Sequence, residues 1–414
     1  MLKLLFIALG YLSKGEWTIA VEFARRLPPD QFKVCFITTR EGVAYVEQYQ
    51  LEGLALQEHA HEANGAALDH QVLSFRPDYL IAADVYTLEH SAHWSGINFQ
   101  TLRKYDVPIV SFDQYEWSST DYMVDFYGNI RRKFPPLIEM CDYLIRNCPL
   151  NKPQVVNPKV ALTSLYGWKR FEWRKSSRDH TDQLATSKDE KVVFIANSKW
   201  EYLNVSKLMS LGQLMVWMPK LLHEYLAALR KPLTVIHVGP VGWDFVTADH
   251  IRYLHFKGLP SAQFEQCLFG ADLFITTNLA SVTLSKAVFA GVPAAVVQNP
   301  KMLDFRSFSN SMLCYPDWFK TIAQEIKVVY PFQVFPWGWF EFLKPVMKDN
   351  PYRDCFATLP LLERKKLIQT LERLLYDPEA IAELRGRQET YVNAMLDLPS
   401  PAEVFTSVFA PFSW

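Results

Sequence analysis

Apolar positions along this chain fall into two kinds of pattern, short continuous runs and stretches with a helical period. In the first half the runs Lys3–Leu9, Lys33–Thr38, Tyr79–Ala83, Pro108–Phe112 and Tyr143–Arg146 read as strands. A 3.6-residue period is clearest over Trp17–Leu27, where Ala20, Phe23, Ala24 and Leu27 share one face. Strands that are apolar throughout and separated by helices predict a parallel sheet buried on both faces. From Pro149 to about Lys188 the pattern dissolves into turn chemistry such as Asn151-Lys-Pro and Asn157-Pro. It then starts again. Strands are predicted at Lys191–Asn197, Leu233–Val238, Leu273–Thr276 and Pro293–Gln298, with helices over Asn204–Leu229 and Ser281–Ala290. A helical tail over Leu361–Leu396 is expected to pack across the rest.

At 414 residues the chain exceeds the size at which one hydrophobic core stops growing. The pattern therefore predicts an α/β protein of two doubly wound, Rossmann-like domains facing across a cleft between the carboxyl ends of their sheets. The expected boundaries are 1–180 with the linker, 188–395, and a tail 396–414 packing on the domains. A net charge of −1, from 43 basic and 44 acidic residues, excludes a global field for nucleic acid or anionic membrane. Six cysteines without CxxC or metal-ligand spacing point to reduced thiols and a cytoplasmic protein. The N-terminal apolar run is too short for a signal peptide and ends in Gly10-Tyr-Leu-Ser-Lys-Gly-Glu16. No segment approaches the roughly 18 apolar residues of a membrane helix.

The most informative stretch is Gly258–Pro293, which reads as helix, strand, polar turn, helix, Gly-Val-Pro. Its turn, Thr276-Thr-Asn-Leu-Ala-Ser-Val-Thr283, sets hydroxyls, an amide and free N–H groups at a helix start. Such a helix terminus suits a diphosphate, because it carries unpaired donors and partial positive charge. The same residues could serve only to cap the helix. The order of elements over these roughly forty residues closely resembles the donor-binding signature of GT-B glycosyltransferases. By that resemblance Asn278 stands where the family often has a phosphate-contacting His, and Thr283 where a Ser/Thr contacts the diphosphate. Lys286 replaces a ribose-binding Glu; it cannot accept hydrogen bonds from ribose but could meet a phosphate as a cation. Asp304 lies near the place of a sugar-binding carboxylate. Donor-site expectations therefore comprise Ser198, Lys199, Gly239, Gly258, Thr277, Asn278, Ser281, Thr283 and Lys286, with Gly258 in the segment that holds the base in related enzymes.

The resemblance further implies that the N-terminal domain binds the acceptor and that transfer is inverting and free of metal. It gives UDP- or dTDP-sugar as co-substrate, with no resident cofactor. An inverting transfer needs a base, and Glu16, in the loop after the first strand, is the first choice, with Asp113 and Glu116 behind it. Lys14, Trp17 and Tyr115 are expected at the acceptor, which the sequence does not identify beyond a small molecule, natural product or peptide. A nucleotide-sugar 2-epimerase and a non-catalytic binding protein are the alternatives, and a homodimer is left open. Tyr330–Leu343, rich in aromatics, is expected to line a site, form an interface or pack between lobes.

Overall fold

In the computed structural model of the chain the described residues are 1–11, 14–120, 136–154, 157–166, 190–199, 201, 212–298, 315–325 and 343–409. Asp304, nearly all of the aromatic stretch and most of the expected linker lie outside them. The chain divides into two compact units, one of Met1–Asp121, Lys133–Gly167 and Ala394–Trp414, the other of Tyr122–Arg132 and Trp168–Asn393.

The first unit is built on seven strands: β1 (Leu2–Ala8), β2 (Phe32–Thr38), β3 (Glu52–Ala55), β4 (Tyr79–Ala82), β5 (Ile109–Phe112), β6 (Tyr143–Cys148) and β7 (Val160–Ser164). Their order is β3-β2-β1-β4-β5-β6-β7, with every pairing parallel. Burial on both faces explains the unbroken apolar runs; Leu4 through Leu9 are at most 1% exposed. The helix Gly15–Ala24 covers one face, its Phe23 set against Phe6 at 6.3 Å and edge-on to Phe112 at 5.3 Å.

Two strands here were not expected. The edge strand β3, Glu-Gly-Leu-Ala, has too little apolar character to read as a strand and is defined by its register with β2. The other, β7, lies inside the supposed linker, where five residues buried throughout were outweighed by flanking turn signals. The half-buried Arg26 guanidinium donates to the carbonyls of Ser164 and Leu165 at the end of β7. Desolvation lowers its pKa to about 10.

The second unit holds β8 (Lys191–Ala196), β9 (Leu233–Val238), β10 (Ile251–Phe256), β11 (Leu273–Thr276), β12 (Ala294–Gln298) and β13 (Ala357–Pro360). The order is β10-β9-β8-β11-β12-β13, again wholly parallel. Trp217, Leu221 and Tyr225 of the helix Gly212–Ala227 join Phe319, Leu367 and Leu371 in one core cluster. The Tyr225 hydroxyl reaches the Leu361 carbonyl at 2.7 Å, so a large buried side chain keeps its polar end satisfied. The helix Val282–Ala290 is buried from Leu284 onward and ends at Gly291, whose φ of 69° is the left-handed C-cap that glycine adopts without strain. Two strands were again unexpected, the half-polar β10 and the four-residue β13.

Five described cysteines are free and four of them buried. Among the described residues no helix is long and apolar enough to cross a membrane.

The chain's end returns to the first unit rather than closing the second. Phe405 packs on Tyr79, Phe23 and Phe32 at ring distances of 5.2, 6.0 and 6.2 Å, and Phe409 stacks on Tyr143 at 4.4 Å. Phe405 is 2% exposed, so Phe405→Ala should cost about 3–5 kcal/mol in denaturant unfolding of the first unit. A loss below about 1 kcal/mol would show that the tail is not part of that core.

Candidate functional site

In the second unit the strand order reverses between β8 and β11. The chain leaves these two carboxyl ends in opposite directions, which opens a crevice where ligands of doubly wound sheets bind. The polar turn sits there. Thr277 and Asn278 are each 8% exposed, and Thr283 is half-buried in the first helical turn. The Asn278 Oδ1 accepts from the Ala280 N–H at 2.9 Å, and the Thr276 hydroxyl accepts from the Asn278 N–H at 3.1 Å. Ser281 caps the helix, its hydroxyl accepting from the N–H groups of Thr283 at 3.2 Å and Leu284 at 3.4 Å. Two donors expected to be open to a ligand are therefore held by the cap, and the capping alternative describes Ser281 correctly. What stays is a rigid turn with the positive end of a nine-residue helix behind it.

Joined to this turn is a part-buried chain of hydrogen bonds whose direction can be assigned. The Trp243 N–H donates to the Tyr253 hydroxyl at 2.9 Å; Asn197 Oδ1 can only accept, so a neutral His237 has its proton on Nε2 and its Nδ1 accepts from that hydroxyl at 2.7 Å. The Nε2–H donates to Asn197 Oδ1 at 3.0 Å. The Asn197 amide donates to Glu201 Oε2 at 3.0 Å and Thr277 Oγ1 at 3.3 Å, tying the loop after β8 to the turn after β11. Burial pushes the Glu201 carboxyl up to about 7 against the hydrogen bonds from Asn197, Ser198 and Thr277. His237, 1% exposed, is lowered to about 4 by desolvation, with His255 adding to the effect.

The remaining donor expectations divide. Ser198 is half-buried and Lys199 exposed, both directly after β8. Gly239 is buried at the end of β9; an added Cβ would stand 3.2 Å from His237 Nε2, so a side chain there presses on the relay. Gly258 is exposed, with nothing within 4 Å of an added Cβ, so no close approach explains its glycine. Lys286 departs from the phosphate contact expected of it. Its ammonium is 2.5 Å from the Glu265 carboxylate, and only 8% of the residue is exposed. A buried cation needs its counter-charge, and Glu265 supplies it.

The first unit reverses between β1 and β4, and two carboxyls near enough to influence each other lie there. Glu16, at the start of the helix after β1, accepts from the Gly10 N–H at 2.8 Å. Its Oε1 is buried and has no hydrogen-bond partner among the described residues. Burial, and then the nearby Asp84, raises the Glu16 carboxyl well above the ordinary range. Asp84 caps the helix after β4 and accepts from the N–H groups of Tyr86 and Thr87 at 2.9 and 2.8 Å and from the Trp117 indole at 3.4 Å. Burial lifts it to about 6 in spite of these bonds. Sequence reasoning missed Asp84, although a strand, an Asp and then a helix at Ala83-Asp84-Val85 is a readable N-cap signal. Gly10 makes room for the pair: an added Cβ would lie 1.9 Å from Glu16 Oε2.

Asp113 and Glu116 have structural work instead. Asp113, fully buried, is 2.9 Å from Arg146 Nε and accepts from the Trp117 N–H at 2.9 Å; Glu116 is 3.6 Å from the same guanidinium. Both carboxylates are thus engaged by Arg146, and burial outweighs that guanidinium at Asp113, whose carboxyl is raised above its ordinary value. Trp17 is 2% exposed and belongs to the core, which removes it from the acceptor residues. Lys14 is exposed and paired with Glu41 at 3.2 Å. Tyr115 is half-buried, its ring 4.9 Å from that of Trp117. Among the described residues no cluster of His, Cys, Asp or Glu could hold a metal ion.

Solved structures similar to this chain match it over nearly its whole length. Spinosyn forosaminyltransferase SpnP is 14% identical with a TM-score of 0.55, covering 98% of this chain and 97% of its own. A Listeria monocytogenes protein described as a UDP-N-acetylglucosamine 2-epimerase is 11% identical with a TM-score of 0.56, covering 99% and 97%. Glycosyltransferase VinC in complex with dTDP is 11% identical with a TM-score of 0.53, covering 98% of each. At such identities the likeness is one of fold, and that fold is GT-B, as the resemblance of the donor turn implied. No curated protein matches the chain. A family model described as a family of unknown function (DUF6365) matches residues 23–411.

The relay makes a prediction about pH. The unfolded chain protonates the His237 imidazole below about pH 6.5, and the folded chain only near pH 4. Its contribution to stability is therefore complete above pH 6.5 and is lost as pH falls toward 4, by up to about 3 kcal/mol. NMR of the imidazole should show neutral His237 with its proton on Nε2 at pH 5.5. A titration midpoint near 6.5 would mean that the relay is not closed as described.

Proposed function

The chain belongs to a family of unknown function, DUF6365, and we propose that it is a glycosyltransferase moving a sugar from a nucleoside-diphosphate sugar to an acceptor. The carrying observation is the reversal point of the second unit, where Asn197 and Glu201 brace the turn Thr277–Ser281 at a helix start. A diphosphate at that turn would meet the helix's positive end and the Thr283 hydroxyl. The turn costs no reorganisation because its own hydrogen bonds already set it. The donor we propose is a dTDP- or UDP-sugar, and VinC, of similar fold, was solved with dTDP.

For the chemistry we assign Glu16 as general base, with the nearby charge of Asp84 adding to its basicity. In an inverting transfer the acceptor oxygen bonds to the anomeric carbon as the bond from that carbon to the diphosphate oxygen breaks. The acceptor proton passes to Glu16, and the diphosphate leaves with the bonding pair. Glu16 Oε1 is the buried oxygen without a partner among the described residues, and it is the atom suited to receive that proton. Its raised pKa makes the carboxylate a stronger base than an exposed one, at the cost of a smaller ionised fraction at neutral pH.

Four outcomes test this reading. Thermal-shift screening should find stabilisation by UDP or dTDP that Thr283→Val weakens by about 1 kcal/mol or more; equal affinity would remove the turn from the site. Glu16→Gln should keep diphosphate binding and lose about a hundredfold or more in turnover. Gly10→Ala should do nearly the same, because its methyl group displaces the carboxyl. Activity in the wild type should climb with pH above the usual carboxylate range, since only the ionised base accepts a proton. Full turnover in Glu16→Gln would end the assignment, and conversion of the nucleotide sugar without an acceptor would mark an epimerase. We further propose that no metal ion is needed. A chelator should leave the rate unaltered, and loss restored by magnesium or manganese would overturn that.

A further inference from the structure

The second unit also contains a cavity of about 470 Å³ over β12 and β13, within the roughly 300–1,000 Å³ usual for small-ligand sites. Its floor is made by Gln298 and Leu279, and Asp349, Arg353, Asp354 and Thr358 stand at its exposed rim. Gln298 ends β12, is 3% exposed, and neither its Nε2 nor its Oε1 has a hydrogen-bond partner among the described residues. The cavity's other amide is already spent. Asn350 accepts from the Tyr352 N–H at 3.0 Å and donates to the Val346 carbonyl at 3.4 Å.

A buried amide without partners destabilises the fold unless something else satisfies it. It offers one acceptor and two donors in a single plane, so its complement is a group that both donates and accepts. Hydroxyl groups do this. The rim adds two carboxylates against one guanidinium, which disfavours a phosphate and suits hydroxyl donors. Leu279 lies within the turn Thr277–Ser281, so the cavity and the proposed diphosphate site share that turn.

We propose that this cavity is a binding site for a neutral, hydroxyl-rich sugar ring, anchored by the Gln298 amide and gripped at the rim by Asp354. The ring has two chemically equivalent sources, the sugar of a nucleotide sugar or a free saccharide. Only the first rests on the function proposed above.

Gln298→Leu and Asp354→Asn, made in the full chain, separate these sources. Calorimetry with UDP-glucose, dTDP-glucose, UDP and dTDP, and saturation-transfer NMR with glucose, N-acetylglucosamine and rhamnose, supply the probes. Gln298→Leu should fold at least as stably as the wild type, because it removes an unsatisfied amide, yet lose sugar binding at least tenfold. Asp354→Asn, on the exposed rim, should weaken the same probe by several-fold without touching the core. Loss confined to the sugar nucleotides, with UDP and dTDP unchanged, assigns the donor's sugar. Loss with the free sugars assigns a separate saccharide site and stands even if no nucleotide binds. Sugar binding that both variants leave unaltered, or no sugar probe binding at all, overturns the proposal.

Discussion

Parallel strands buried on both faces leave a chain few places to display polar side chains, and most of those are strand ends. Both sheets obey that constraint, and the sites discussed above follow from it. In each unit the order reverses beside the first strand, at β1 and β4 or at β8 and β11, so two loops diverge and their polar residues face one crevice. The carboxyl pair of Glu16 and Asp84 occupies one such point, and the turn Thr277–Ser281 the other. These loops carry groups that would be expensive anywhere else in the fold. They are tolerated because helix starts supply N–H donors where the sheet ends.

The three polar groupings meet the cost of burial in different ways. The relay from Trp243 to Glu201 joins its members by hydrogen bonds along its length and braces the turn after β11 from the loop after β8, while burial keeps His237 neutral. Asp84 is satisfied by two N–H groups and an indole, whereas Glu16 keeps one oxygen without a partner among the described residues. Gln298 leaves its whole amide so. A closed network fixes geometry, and an open one asks for a ligand. The GT-B fold says where such ligands bind but not what they are.

Local pattern was enough for the buried centre of each sheet. The runs at β1, β2, β8, β9 and β11 are apolar because both faces are covered, and that signal is present in any window of six residues. The helix start at Ser281 and its stop at Gly291 were legible for the same reason, since capping is decided within a few residues. Strands β3, β7, β10 and β13 were not. A short or half-polar strand exists only because its neighbour offers a ladder, and that neighbour is distant in sequence.

Charge partners are the sharpest case of what distance hides. The sequence by itself determined two α/β units, a polar turn ahead of Gly291-Val-Pro293, and a carboxylate at Glu16. Only the tertiary structure decided that Lys286 belongs to Glu265, that Arg146 claims Asp113 and Glu116, and that Asp84 stands beside Glu16. It also decided that Phe405 completes the first core from the far end of the chain. The physical reason is range. Periodicity and capping act over a few residues, whereas pairing and burial join residues that only the fold brings together.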